Sequence, residues 1–414
     1  MARRRSKRAG SKSADGHSVS GFGCLSCVRG PDLAENQTNG MATIVSENSN
    51  GGKDMWDASA ADRREPEVGA GGEFPDHLVI MVNGIIGSAD NWRYAASQFV
   101  KKLPDKVFVH CSERNASTLT FDGVDRMGVR LAEEVKSIIE NKPGLKKISF
   151  VAHSLGGLVA RYAIGILYEP PLQSDYGVQN GGDSDLIDSN ANHNVKEELK
   201  GKIAGLEPIN FITFATPHLG SRGHKQLPLL CGIRVLENAA TYSAHWFVGR
   251  TGKHLFLRDN DDGKLPLLRR MVTDYGDLRF MSALRSFKRR VAYANVRYDH
   301  MVGWRTSSIR RQSELPELRK VPINEKYRHI INVENGDCAK NTPRVSARKD
   351  DHVTDAIEEE MIACLTQVPW ERVDVSFYRS RQRFLAHSTI QVKWYWMQSE
   401  GAHVICHMID NFVI

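Results

Sequence analysis

Residues 148–157 constrain this chain more than any others. The apolar run Ile148-Ser149-Phe150-Val151 has strand length and leads straight into Ala152-His153-Ser154-Leu155-Gly156-Gly157, after which Leu158 to Leu167 reads as a helix. A serine between small residues at a strand-to-helix turn is the pattern of a nucleophile elbow. The backbone is crowded there, so only small neighbours fit, and the hydroxyl projects above the sheet. Ala152 stands where the usual G-x-S-x-G has its first glycine, a departure of one methyl. An ordinary helix N-terminus would explain the glycine pair but not the apolar strand ending at its edge. Ser154 is therefore the candidate nucleophile.

The surrounding pattern supplies a sheet for that turn. Leu78-Val79-Ile80-Met81-Val82 is a continuous apolar run ending in Asn83-Gly84, as a buried parallel strand ends. Trp92, Ala95, Ala96, Phe99, Val100 and Leu103 follow at helical spacing, Val107 to Cys111 is a second strand, and Val124, Met127, Leu131, Val135 and Ile138 mark an amphipathic helix. Strand character returns at 211–215, 291–296 and 373–377. Strands alternating with helices predict an α/β protein with the α/β-hydrolase fold, a mostly parallel central sheet with helices on both faces.

Residues 1–72 are rich in Ser, Gly, Asn and charge with no sustained period, and are expected to form a disordered basic leader before a hydrolase domain over 73–414. The formal net charge of +7 owes much to that leader, where Arg3, Arg4, Arg5, Lys7, Arg8, Lys12 and Arg29 face only Asp15. An organelle transit peptide, plastid included, and a plain solvated or lipid-touching tail both fit such a start. Residues 171–206 read as a surface insertion, and 222–285 either as a helical cap over the site or as ordinary core. The seven cysteines are scattered, which predicts a reducing, intracellular setting, and no apolar run approaches the ~20 residues of a membrane helix. The protein is expected to be cytoplasmic or peripheral on a membrane.

A serine hydroxyl needs a histidine to take its proton, a carboxylate to orient that histidine, and donors for the oxyanion. The Leu155 N–H is the first expected donor. The second is the Ile85 N–H in Asn83-Gly84-Ile85-Ile86-Gly87, where glycines let the backbone come close to substrate. Chain order in this fold is Ser, acid, His. Asp299 lies just beyond the strand 291–296 and is preferred to the acidic turn Asp259, Asp261, Asp262. Among the histidines beyond it, His387 follows the last strand and is the expected base, with His407, at helical spacing with Ile405, Met408 and Phe412, as the alternative.

Ala152-His153-Ser154-Leu155-Gly156-Gly157, Phe214 to Ser221, Tyr293-Ala294-Asn295 with Asp299-His300, and Arg305-Thr306-Ser307 together resemble the serine esterase family of lipase-like α/β-hydrolases found in plants and fungi. The resemblance runs from about His77 onward. It implies a lipid acyl ester as substrate, supports Asp299 and the Ala386-His387 pair, matches His407 in some relatives, and suggests that His218 is a wall of the site.

The expected activity is thus hydrolysis of carboxylic esters through an acyl-serine intermediate, with no metal or cofactor. An acyltransferase on the same fold and a catalytically silent scaffold are the alternatives. Cys24-Leu25-Ser26-Cys27 is a weak metal signal, a better lipidation site and most simply a pair of inert thiols, and the leader lacks the interleaved aromatics expected of a nucleic-acid binder.

Overall fold

Each apolar run of the sequence becomes a strand whose two sides are both covered. The computed structural model describes residues 55–56, 75–171, 201–221, 249–260, 263–317, 324–336 and 354–414, which all lie in the unit Lys53–Ile414. Its strands are β1 (Met55–Trp56), β2 (His77–Val82), β3 (Val107–Cys111), β4 (Lys147–His153), β5 (Tyr168–Glu169), β6 (Lys202–Ile203), β7 (Glu207–Phe214), β8 (Arg289–Asn295), β9 (Ile330–Glu334) and β10 (Glu371–Val375). Eight of them form one sheet in the order β1-β3-β2-β4-β7-β8-β10-β9, and β5 and β6 pair separately. From β3 across to β10 every pairing is parallel, and only the edge strands β1 and β9 run antiparallel. This is the expected α/β-hydrolase architecture.

Alternation along β2 shows how the layers are built. Leu78, Ile80 and Val82 face one core together with α2 (Val124–Asn141), α3 (Leu155–Leu167) and α4 (Phe280–Ser286). Val79 and Met81 face the other, with α1 (Arg93–Lys102) and, near the C-terminus, α8 (Ala402–Asp410). A period-two strand buried on both faces reads as an unbroken apolar run, which is why β2 shows no polar alternation.

The edge beyond β8 is tied by charge. Asp374 of β10 is fully buried and accepts from Trp304 Nε1 and Arg310 Nη1 at 2.7 Å and from Asn332 Nδ2 at 2.9 Å. Arg310 also bonds Glu334 of β9 at 2.7 Å, so α5 (Trp304–Ser308) is anchored to both last strands.

Two expectations about segments meet the described residues only in part. Strand pairing of Met55–Trp56 with β3 reaches into the stretch read as a leader, most of which, with Cys24 and Cys27, lies outside the described residues. Within 222–285, residues 222–248 also lie outside them. The described remainder contributes Leu257, Leu267, Leu268, Met271, Val272, Phe280 and Leu284 to the α2–α3 core. Among the described residues no helix is long and apolar enough to cross a membrane.

Candidate active site

Ser154 sits where β4 ends and α3 begins, with φ 54° and ψ −127°. Positive φ is strained for a residue with a side chain, so neighbours must hold it. The Ser154 N–H bonds Phe214 O on β7 at 2.8 Å, and the Gly157 N–H bonds Ser154 O at 3.1 Å. Small residues are required on steric grounds: a Cβ on Gly156 would lie 2.5 Å from the carbonyl oxygens of Val82 and Asn83, and one on Gly84 would lie 2.9 Å from Ser154 Cβ. Ala152 points into the α3-side core and is fully buried, so its methyl fills space away from the crowded turn.

Asp299 and His387 are both brought to this serine. His387 Nε2 is 3.0 Å from Ser154 Oγ, and His387 Nδ1 is 3.0 Å from Asp299 Oδ2. Because Nδ1 faces a carboxylate it carries the proton and donates, leaving Nε2 free to accept from the serine. Asp299 follows β8 in a turn that opens with Tyr298 at φ 62°. Its Oδ1 accepts the Met301 and Val302 N–H groups at 3.0 and 2.9 Å. Burial pushes the Asp299 carboxyl up, but His387, the Asn295 amide and the Val302 N–H outweigh it and hold it below the usual carboxylate value.

Two residues to which the sequence reading assigned no role support this arrangement. Asn295, the last residue of β8, donates to Asp299 Oδ2 at 2.9 Å and to Ala386 O at 3.2 Å, which couples the acid to the start of α7 (Ala386–Thr389) carrying His387. His153 donates from Nε2 to His387 O at 2.6 Å, and the two rings lie 4.7 Å apart. Burial, with the neighbouring His387, drives the His153 pKa well down, so it stays neutral. Adjacency to the serine was the available signal for His153. Asn295 had only its position four residues before the acid.

The loop after β2 approaches from the other side. A turn closed by Gly87 N–H to Gly84 O, 3.0 Å, and the bond from Ile86 N–H to Thr120 Oγ1, 3.0 Å, fix residues 84–87 without using the Ile85 N–H. Leu155 heads α3, where the first N–H groups have no acceptor within the helix. Ser154, Ile85 and His387 line one open cleft of about 250 Å³, together with Phe384, Lys393 and Trp394.

The rivals are engaged elsewhere. His407 lies on α8 with Nδ1 on the Tyr293 hydroxyl at 2.8 Å, and Asp259 accepts the Leu267 N–H at 2.7 Å. Asp261 and Asp262 lie outside the described residues. His218 is not a wall of the cleft: it is fully buried, bonded to Thr213 Oγ1 at 3.1 Å and packed against Trp370. The run it belongs to turns into the core, where Thr306 Oγ1 accepts the Leu219 N–H at 2.9 Å and donates to Gly220 O at 3.1 Å.

Comparison with known proteins agrees with this architecture. "Putative lipase ROG1" of Saccharomyces cerevisiae is 29% identical over 266 residues, 62% of this chain and 32% of that protein. "Putative lipase C4A8.10" of Schizosaccharomyces pombe is 26% identical over 272 residues, 63% of this chain and 29% of that protein. The chain thus spans about a third of the length of the curated relatives it matches. Among solved structures, the Bacillus licheniformis lipase BlEst2 covers 56% of this chain and 69% of its own at 16% identity with a TM-score of 0.30, an overlap too loose to inform the site. The model of the family described as "Putative serine esterase (DUF676)" matches residues 73–309, more than half of the chain, and the chain belongs to that family.

Proposed function

We propose that this protein is a serine hydrolase that cleaves carboxylic esters of lipids through an acyl-serine intermediate. The observation that carries the reading is the unbroken hydrogen-bonded line from Ser154 Oγ through His387 to the buried Asp299. Ser154 Oγ attacks the ester carbonyl carbon while His387 Nε2 takes its proton, and the imidazolium so formed faces the ionised Asp299. The carbonyl oxygen becomes an oxyanion between the Leu155 and Ile85 N–H groups, where one such donor typically contributes ~3 kcal/mol. His387 then protonates the departing alkoxide. Water, deprotonated by the same nitrogen, attacks the acyl-serine and releases the acid. No metal or cofactor enters these steps. Relatives named lipases support a lipid ester as substrate.

A fluorophosphonate probe tests the reading. Wild-type protein should be labelled and the Ser154→Ala variant should not. Absence of labelling in folded wild type, or equal labelling of the variant, would overturn it. A series of p-nitrophenyl esters of rising acyl length then separates a short-chain esterase from a lipase.

A further inference from the structure

Exposed apolar side chains are ordinary when scattered, but here they gather. Of fourteen large hydrophobic residues exposed among the described residues, six lie between Tyr378 and Trp396. Trp396 is 80% exposed and Phe384 61%, and Leu385, Trp394 and Tyr395 accompany them. Phe384, Leu385 and Trp394 also line the cleft that holds Ser154, so the apolar surface continues from the mouth inward.

Cations interleave with these rings. The Arg383 guanidinium lies 4.8 Å from the Phe384 ring centre, Arg297 5.8 Å from Tyr378, and Lys393 4.7 Å from Trp394. Arg379 and Arg381 are exposed on the same segment. No Asp or Glu occurs from Val375 to Ser399. A segment of Trp, Tyr, Phe and Arg with no acidic residue of its own suits the boundary between anionic headgroups and acyl chains, where amphipathic rings settle and basic side chains meet negative charge.

We infer that this rim seats the mouth of the cleft on an anionic lipid surface, with Trp394 and Trp396 entering the headgroup layer and Arg379, Arg381 and Arg383 facing its phosphates. The inference deepens the proposed ester chemistry by naming how the substrate is presented: as a lipid in an aggregated, negatively charged layer. Interleaved aromatic and basic residues also bind single-stranded nucleic acid. Continuity of the rim with an esterase-like cleft favours lipid.

The test uses full-length protein carrying Ser154→Ala, so that binding is read without turnover and independently of whether the serine is catalytic. It should sediment with vesicles of phosphatidylcholine mixed with phosphatidylserine and much less with pure phosphatidylcholine, and its tryptophan emission should shift to the blue on binding. Adding Arg381→Ala should weaken partitioning about fivefold, the effect of one basic residue at an anionic surface, and adding Trp396→Ala should weaken it further. Thermal melting of each variant confirms folding. Equal binding to both vesicle types, unchanged partitioning in folded variants, or retention on single-stranded oligothymidine in place of vesicles would overturn the inference.

Discussion

Tyr293 and His407 share a buried hydrogen bond of 2.8 Å, and the ring of Tyr327 stands edge-on to the same imidazole. This histidine is therefore held inside the α8 side of the sheet, away from Ser154. His387→Ala should lower kcat by about 10³-fold or more, the scale of losing a member of such a triad. His407→Ala should leave kcat within a few-fold while lowering stability by ~1–3 kcal/mol, because the Tyr293 hydroxyl loses its partner. Steady-state kinetics and urea unfolding of the two variants check both, and a catalytic loss in the second variant would transfer the role of base to His407.

Acid should destabilise the protein before its carboxylates titrate. Burial is the main cause that lowers His407 to about 4, assisted by Arg289, and burial with Lys147 lowers His77 to about 4. Both therefore stay neutral in the folded chain while protonating near 6.5 when unfolded. Their contribution is complete above pH 6.5 and is lost as pH falls towards 4, since the unfolded state binds more protons in that window. At pH 5 each loses about 2 kcal/mol relative to neutrality. The unfolding free energies from urea at pH 7 and 5 should converge by that amount in His407→Gln; an unchanged difference would refute the assignment.

The elbow tolerates change at one end only. Gly156→Ala would drive its methyl against two backbone carbonyls that cannot move independently, so it should cost several kcal/mol or prevent folding, on the scale of other overpacked sites (about 1–3 kcal/mol or more). Ala152→Gly restores the usual motif, yet it removes a buried methyl and loosens the strand. It should lower stability by ~1 kcal/mol and leave labelling by fluorophosphonate unchanged. Thermal melts with probe labelling distinguish the two.

Asn295→Ala should act on rate rather than binding. It removes one hydrogen bond from the Asp299 carboxylate and one from Ala386 O, so the acid and the His387 helix lose their common tether. A fall in kcat of roughly tenfold, about 1.4 kcal/mol, with KM nearly unchanged is expected. A change in KM alone would argue that Asn295 shapes the cleft.

What could be read from the chain divides by distance. Strands β2, β4 and β7 were legible because their cause is local, a continuous apolar run, and the turn at Ser154 because its small residues are contiguous in the chain, although the contacts that force Gly156 come from Val82 and Asn83 at the end of β2. The order serine, acid, base singled out Asp299 and His387, and the fold brings both to Ser154. His218 was misread, because the burial of its ring depends on Trp370, far away in sequence. Asn295 acts through a contact 91 positions distant, and no local pattern announces that. The aromatic and basic run over 378–396 drew no reading from the sequence, because its meaning lies in its nearness to the cleft, which needed the fold.

The separation of 233 positions between Ser154 and His387 bears on the birth of the protein. A nascent chain can expose Ser154, the loop after β2 and even Asp299 while His387 is still inside the ribosome. On the proposed assignment such a half-made copy is inert towards the membranes around it. On the same assignment the chemistry needs the segments after β8 and β10 in place together, since they carry Asp299 and His387, so activity would await the completion of the fold.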